Sequence, residues 1–447
     1  MQVDLFLEIW RSNLKSEAIV WKDHSYSYSW LLERFQSLKA ELETQKINPG
    51  AVVVLKADFS PSAIALFFAL AELGCIVVPL AGTAAGQSEL IATSQAEFVI
   101  TVQADDSFTV SSLATTSNHR LYQQLREAQH PGLVLFSSGS TGESKAAVHD
   151  LLALFEKFKL RRHSLRTISF LLYDHIGGVN TMLYTFANAG CLVIADERNS
   201  DGVLHLIEKH RVELLPTSPT FLNLILLSEA YKRHDLSSLR IITYGTEPMS
   251  ETTLKRFHQL FPTIKLVQTY GLSEVGIMRS RSKSSDSLWV KVGGEGYETR
   301  IVDGVLQIKA QSAMLGYLNA PSPFTDDHWF NTGDAVEVDG DYLKILGRTS
   351  EVINVGGEKV YPTEIESVIL EVKRVADVTV YGERNPITGQ IVCANITPIS
   401  SLTPQERRDL VAAIKQHCRK QLQNFKVPVR ITFVAETQHT ERFKKVR

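Results

Sequence analysis

Between Leu133 and Asp150 the chain reads Leu-Val-Leu-Phe-Ser-Ser-Gly-Ser-Thr-Gly-Glu-Ser-Lys-Ala-Ala-Val-His-Asp. An apolar run gives way to Ser137, Ser138, Gly139, Ser140, Thr141 and Gly142, and Lys145 closes the stretch. Glycines let successive backbone N–H groups converge on one point, and such a nest binds anions. Hydroxyls add donors and the lysine adds a positive charge. The chemistry served is the grip of a polyphosphate. It is not the Walker pattern, which puts Ser or Thr directly after its lysine, because Ala146 stands there. A Ser/Gly-rich surface linker is the other reading of this stretch taken alone.

Four further stretches carry polar residues that an ordinary core does not want. They are Tyr270-Gly-Leu-Ser-Glu274, Trp329-Phe-Asn-Thr-Gly-Asp334, the run from Gly347-Arg348 through Gly356-Gly357 to Glu366, and Thr440 to Arg447. Singly, Glu274 and Asp334 read equally well as helix or turn caps, and Arg348 as a salt-bridged surface residue.

The elements that must position these groups follow from the hydrophobic pattern. Ala51 to Leu55 is a β-branched strand, and Ser60-Pro61 supplies an N-cap and N1 proline for a helix from Ser62 to Leu73, stopped by Gly74. Ile76 to Leu80 and Phe98 to Thr101 are further strands. After the glycine-rich loop come strand Cys191 to Ala195, helix Val203 to Lys209 and strand Val212 to Leu215. Strand Leu239 to Thr243, helix Glu251 to Leu260 and strand Ile264 to Gln268 follow. Alternating strand and helix predicts parallel sheets with crossover helices. Two strands leave through Thr-Tyr-Gly, at Tyr244-Gly245 and Tyr270-Gly271, and ligands of open α/β sheets sit beyond such carboxyl ends. From Gly294 to Lys344 the pattern turns to short strands and acidic-Gly pairs, a small β subdomain of hairpins. Beyond Gly347 come a helix from Pro362 to Val372, strands Val378 to Tyr381 and Ile391 to Thr397, and a helix opened by the capping box Thr403-Pro-Gln-Glu406. A last strand runs from Arg430 to Val434. The expected organisation is α/β: a large N-terminal domain over 1–346 and a small mobile α+β domain over 347–447.

Length and composition set the outer bounds. At 447 residues, 44% hydrophobic and 21% charged, the chain is globular and large enough for two or three domains. A net charge of −2 gives no bias toward nucleic acid or an anionic membrane. Cys75, Cys191, Cys393 and Cys418 are scattered, which argues against a zinc site or disulfide framework and for a reducing compartment. The first residues lack a signal peptide's basic and apolar segments. The most apolar segment, Ala63 to Leu80, is interrupted by Glu72, Gly74 and Pro79. A cytoplasmic protein with no membrane span is expected.

In order and spacing, the five polar stretches resemble those of the acyl-adenylate-forming enzymes, the superfamily of acyl-CoA synthetases, adenylation domains and firefly luciferase. The resemblance runs over nearly the whole chain. It implies a ligase that uses ATP and Mg²⁺ to convert a carboxylic acid, acyl or aryl, into an acyl-AMP and passes the acyl group to a thiol. That thiol belongs to CoA or to the phosphopantetheine of an acyl carrier protein. By motif, Ser137 to Gly142 and Lys145 would hold the β- and γ-phosphates, Glu274 the metal, and Ser273 the α-phosphate. Gly245, Thr246, Glu247, Tyr270 and Gly271 would flank the adenine, Asp334 would chelate the ribose hydroxyls, and Arg348 would reach the ribose and phosphates. His175, Tyr244, Gly276 and Ile277 would line the acyl pocket, Gly356 and Gly357 the thiol channel, and Ser350 would be the hinge. Ile176 occupies the place where amino-acid-activating domains carry an Asp for the α-ammonium, which implies an acid without an α-amino group. Asp174, just before His175, leaves a shifted alignment open.

The chain departs from the family pattern at Ser144, Ala146, Ser350 and Phe443. The last two motivate one rival reading, a non-catalytic nucleotide-binding or scaffold protein; the nearer rival to an acyl-CoA synthetase is a stand-alone enzyme loading a carrier protein, since both accept the same phosphopantetheine arm. In the family a C-terminal lysine is delivered to the reacting groups by domain rotation, and Thr440-x-x-x-Lys444-x-x-Arg447 puts Lys444 at that position. Lys444→Ala should therefore cost adenylation on the order of 3–4 kcal/mol, a few hundredfold in rate, and spare thiol attack on supplied acyl-AMP. Lys445→Ala should do little. Equal, mild effects of both changes on the two half-reactions would make Lys444 a surface charge.

Overall fold

The chain is seen here as a computed structural model that describes residues 2–82, 86–138 and 144–435. Gly139, Ser140, Thr141, Gly142 and Lys444 lie outside the described residues. Among those described are two seven-stranded sheets. In one, Val52–Lys56 pairs in parallel with Ile76–Leu80 and Phe98–Val102, and Gly132–Ser138 joins beyond Ile76–Leu80. In the other, Arg166–Ile168, Cys191–Val193, Leu214–Thr217, Ile241–Tyr244 and Lys265–Gln268 are parallel. The strand Glu17–Trp21 extends it in parallel and His24–Ser27 closes its edge antiparallel.

The parallel strands follow the β-branched and apolar runs, as buried strands must. The helix between the first two, Pro61–Glu72, starts where Ser60 Oγ accepts from Ala63 N at 3.1 Å. It ends before Gly74, whose φ of +76° suits glycine. It is apolar on all sides because all of its sides are covered. The largest core lies between the sheets, where Phe6, Trp10, Phe68, Phe155 and Phe186 pack on one another. Phe68 meets Phe6 and Trp10 at centroid distances of 4.9 Å.

One strand has no sequence signature. Ser144–Asp150, with two alanines and flanking polar residues, is weak in β-propensity. It is a strand because Gly132–Ser138 needs a partner on its open side, and it pairs there antiparallel from Gly132↔Asp150 to Ser138↔Ser144. The β subdomain is a six-stranded sheet that starts at Arg279–Ser282, before the expected Gly294. Its hairpins turn at Asp303-Gly304 and at Gly340, all with positive φ.

Residues beyond Arg348 build five strands and two helices around a separate core that includes Ile353, Val380, Ile396 and Ile414. The helix Pro404–Gln421 carries the expected capping box at Thr403 and Glu406. This unit rests on the larger one through Thr252 Oγ1 donating to Ser367 O at 2.8 Å and Asn223 Nδ2 donating to Ala376 O at 3.3 Å. All four cysteines are free and buried. Among the described residues no helix is long and apolar enough to cross a membrane.

His149, on the strand Ser144–Asp150, is fully buried against the backbone of Ser273 and Ser312. Burial pushes its imidazolium pKa down to about 4, against a weaker opposing pull from those backbone groups. Between about pH 6.5 and 4 the unfolded chain therefore takes up a proton that the folded chain refuses. Stability should fall with pH across that window by up to about 1.4 kcal/mol per unit, and His149→Leu should flatten that part of an acid-unfolding curve. Identical slopes in the two proteins would mean the ring carries no such penalty. Phe68→Ala should cost about 3–5 kcal/mol, read as a lowered denaturant midpoint.

Candidate active site

The two arms of the glycine-rich loop are the last residues of Gly132–Ser138 and the first of Ser144–Asp150. Ser137 lies opposite Lys145 in that ladder. A second layer holds the returning arm. Gly316–Tyr317 pairs with Ala147 and Val148, Asn319 Oδ1 accepts from Ala146 N at 3.0 Å, and Asn319 Nδ2 donates to Ser144 O at 2.8 Å. The Lys145 ammonium stands 5.5 Å from the centre of the Tyr317 ring.

Tyr317 joins this loop to the predicted metal carboxylate. Its hydroxyl donates to Glu274 Oε1 at 2.6 Å, and the negative charge of Glu274 adds to burial in raising the phenol pKa. Glu274 and Ser273 form the tip of a tight hairpin between Gly271–Leu272 and Gly276–Ile277. A Cβ at Gly271 would stand 2.7 Å from Gly276 O, so the two strands approach this closely only with glycine there. Gly276 has φ +80°, and Glu274 O accepts from Met314 N at 2.7 Å.

The second group of polar residues meets at the predicted ribose carboxylate. Asp334 and Arg348 face each other across the strands Phe330–Asp339 and Tyr342–Arg348. Arg348 Nε lies 3.3 Å from Asp334 Oδ1, and the Tyr270 hydroxyl donates to Asp334 Oδ2. Asp334 is 7% exposed. Burial raises its pKa, while Arg348 and the Tyr270 hydroxyl pull it back down. The Tyr270 hydroxyl therefore sits on this carboxylate.

Gly245 follows the strand Ile241–Tyr244, and a Cβ there would meet Thr269 Oγ1 at 2.6 Å and Thr269 O at 2.7 Å. The two Tyr-Gly exits therefore touch. Thr246 has φ +74°, and Glu247 Oε1 accepts from Thr220 N at 2.8 Å, at the start of the helix Pro219–Ser228. Glu247 thus serves that helix, whatever else it meets. His175 likewise caps the helix Ile176–Ala187, its Nδ1 accepting from Gly177 N at 3.0 Å. Ile176 and Asp174 are buried beside it, Asp174 Oδ2 accepting from Ala81 N at 3.4 Å. Gly356 and Gly357, with φ +63° and +93°, turn the hairpin between Ile353–Val355 and Glu358–Val360. Ser350 lies in the single 3₁₀ turn Thr349–Glu351 that follows Arg348.

Whether these residues suit a polar ligand is decided by what they leave unsatisfied. Thr217, Tyr244 and Gln268 end three adjacent parallel strands and stand in register with one another. Thr217 Oγ1, Tyr244 Oη and Gln268 Oε1 are all buried without a hydrogen-bond partner among the described residues. An orphaned row at the carboxyl edge of a parallel sheet is where such folds seat a polar ligand. Glu274 offers a carboxylate oriented by Tyr317, a donor set that suits one hard cation shared with phosphate oxygens and water. Sequence reasoning singled out Tyr244 but missed Tyr317 and Asn319. Their one local signal is Gly316-Tyr-x-Asn319 after Met314, and it carries no chemistry until the sheet brings it to Ala146 and Glu274.

Residues 8–317 match the family described as AMP-binding enzyme, and residues 364–444 match the AMP-binding enzyme C-terminal domain. The chain is 27% identical over 478 residues to the indoleacetate–CoA ligase of Aromatoleum aromaticum, covering 95% of this chain and 92% of that protein. It is 26% identical over 437 residues to the long-chain-fatty-acid–CoA ligase FadD13 of Mycobacterium tuberculosis, covering 87% and 85%. In structure it superposes on the anthranilate CoA ligase AuaEII in complex with anthranoyl-AMP with a TM-score of 0.82, at 20% identity over 98% and 94% of the two chains. The amide bond synthetase McbA of Marinactinospora thermotolerans gives 0.80, at 23% identity over 98% and 97%. Family match, fold and the polar stretches agree: the chain belongs to the AMP-binding enzyme family, the acyl-adenylate-forming enzymes, on the side of the acyl-CoA synthetases.

Proposed function

We propose that this chain is an AMP-forming acid–thiol ligase, with CoA as acceptor, whose nucleotide and acid meet at the carboxyl edge of the second parallel sheet. The observation that carries the reading is the link from the glycine-rich loop through Tyr317 to Glu274. It ties the expected phosphate grip to the expected metal carboxylate by one hydrogen bond and one β-ladder.

In the first half-reaction an oxygen of the acid attacks the α-phosphorus of ATP. The bond to the β-phosphate oxygen breaks, and acyl-AMP and pyrophosphate form. In the second, a thiolate attacks the acyl carbon, the bond to AMP oxygen breaks, and a thioester and AMP leave. Ser137, Ser138 and Lys145 take the departing phosphates. Mg²⁺, when bound at Glu274, neutralises phosphate charge. Asp334 holds the ribose hydroxyls in competition with Tyr270 and Arg348, whose contacts oppose the upward push of burial on its pKa. Lys444 stabilises charge at the α-phosphate. His175, Ile277 and Gly276 border the acid. The relatives' names span aryl and alkyl acids, so the class of acid is set by pocket residues particular to this chain. A carrier protein would present the same phosphopantetheine thiol, and rates with CoA and with a phosphopantetheinylated carrier separate the two acceptors.

Acid-dependent ATP–pyrophosphate exchange tests the reading. Glu274→Gln should abolish it, and full activity of that variant at limiting Mg²⁺ would remove the metal role. Tyr317→Phe keeps the carboxylate but frees it to rotate. Exchange should fall about 10- to 100-fold at low Mg²⁺ and recover when the metal is raised. A loss that excess Mg²⁺ does not repair would place Tyr317 outside the metal's support.

A further inference from the structure

The helix Ser200–His210 carries His205 and Glu208 three residues apart, which sets them on one face. His234 reaches that face from another part of the chain, just after the 3₁₀ turn Ala230–Lys232. One nitrogen or oxygen from each of the three lies within 4.8 Å of the others. His234 Nδ1 is 3.1 Å from Glu208 Oε2. Two ligands of one tetrahedral zinc ion, bonded at about 2.0–2.2 Å, stand about 3.3 Å apart. His205 is exposed and its ring centre is 6.1 Å from that of His234, so a turn of its side chain closes the set.

The other nitrogen of His234 is held as well. Nε2 lies 3.4 Å from Asp201 Oδ1, and Arg233 Nη2 donates to the two oxygens of Asp201 at 2.7 and 2.8 Å. A carboxylate on the far nitrogen fixes the ring's orientation and tautomer and makes the near nitrogen a better metal ligand. A protonated His234 between two carboxylates would account for these contacts, but not for His205. Among the described residues His205 pairs with neither carboxylate, and a second imidazolium beside the first would repel it. Around a divalent ion both rings stay neutral and each lends a lone pair.

We propose that His205, Glu208 and His234 form a site for a divalent transition metal ion of the zinc class, with Asp201 orienting His234. Water takes the remaining position on the exposed side. Two imidazoles and one carboxylate suit zinc and suit Mg²⁺ poorly, since Mg²⁺ prefers oxygen ligands. The site is therefore distinct in chemistry from the carboxylate of Glu274, and it uses no thiol. The ion ties the helix Ser200–His210 to the segment that follows the helix Pro219–Ser228, bracing two crossovers of the second parallel sheet.

The test is a Zn²⁺ titration of the full chain in excess Mg²⁺, read by competition with a chromophoric chelator. One Zn²⁺ per chain should bind, and zinc should raise the thermal midpoint. His205→Ala and His234→Ala should each weaken binding on the order of a hundredfold or more and remove that rise. Asp201→Asn should weaken it about 10- to 100-fold with the stoichiometry unchanged. Glu274→Gln should bind zinc as the wild type does. His205→Ala removes an exposed ring and should keep the metal-free thermal midpoint, which separates loss of the site from loss of the fold. No zinc bound by the wild type, affinity unchanged in both histidine variants, or affinity lost in Glu274→Gln instead, overturns the site. Wild-type affinity in Asp201→Asn overturns the orienting role of that carboxylate.

Discussion

The pairing of Gly132–Ser138 with Ser144–Asp150 is the constraint on which the site depends. That ladder, from Gly132↔Asp150 to Ser138↔Ser144, anchors the chain on both sides of the intervening segment. The anchor is itself anchored. The outgoing arm continues a parallel sheet whose central strands are fully buried. The returning arm is pinned by Gly316–Tyr317 and Asn319. Because the same Tyr317 bonds Glu274, displacement of the loop and displacement of the carboxylate are coupled.

Charge is handled by partial burial with chosen partners. Asp334 is buried enough that its pKa is raised, and a guanidinium and a phenol oppose that push. It accepts one hydrogen bond, from the Tyr270 hydroxyl, and pairs with the Arg348 guanidinium. His149 is a second case, kept neutral by burial at a cost that appears only in acid.

The C-terminal unit has its own core and touches the larger one through few polar contacts, among them those of Ser367 and Ala376. Contacts of this kind exchange readily for water. The short 3₁₀ turn Thr349–Glu351 follows Arg348 where the two units join.

The local chemistry of this protein was set by its sequence. The parallel strands, the helix from Pro61, the capping box at Thr403 and the glycine turns at Asp303-Gly304 and Gly340 all rest on neighbours in the chain, and side-chain periodicity reports such neighbours directly. The polar stretches, with Glu274, Asp334 and Arg348, were visible because residues of that type are out of place in a core. Other features were decided only by tertiary structure. Ser144–Asp150 is a strand by virtue of an edge that needed covering, not by its own propensity. Tyr317 and Asn319 gain their roles from a strand pairing that spans some 170 positions of sequence. The orphaned row Thr217, Tyr244 and Gln268 exists only because three separate strands end in register.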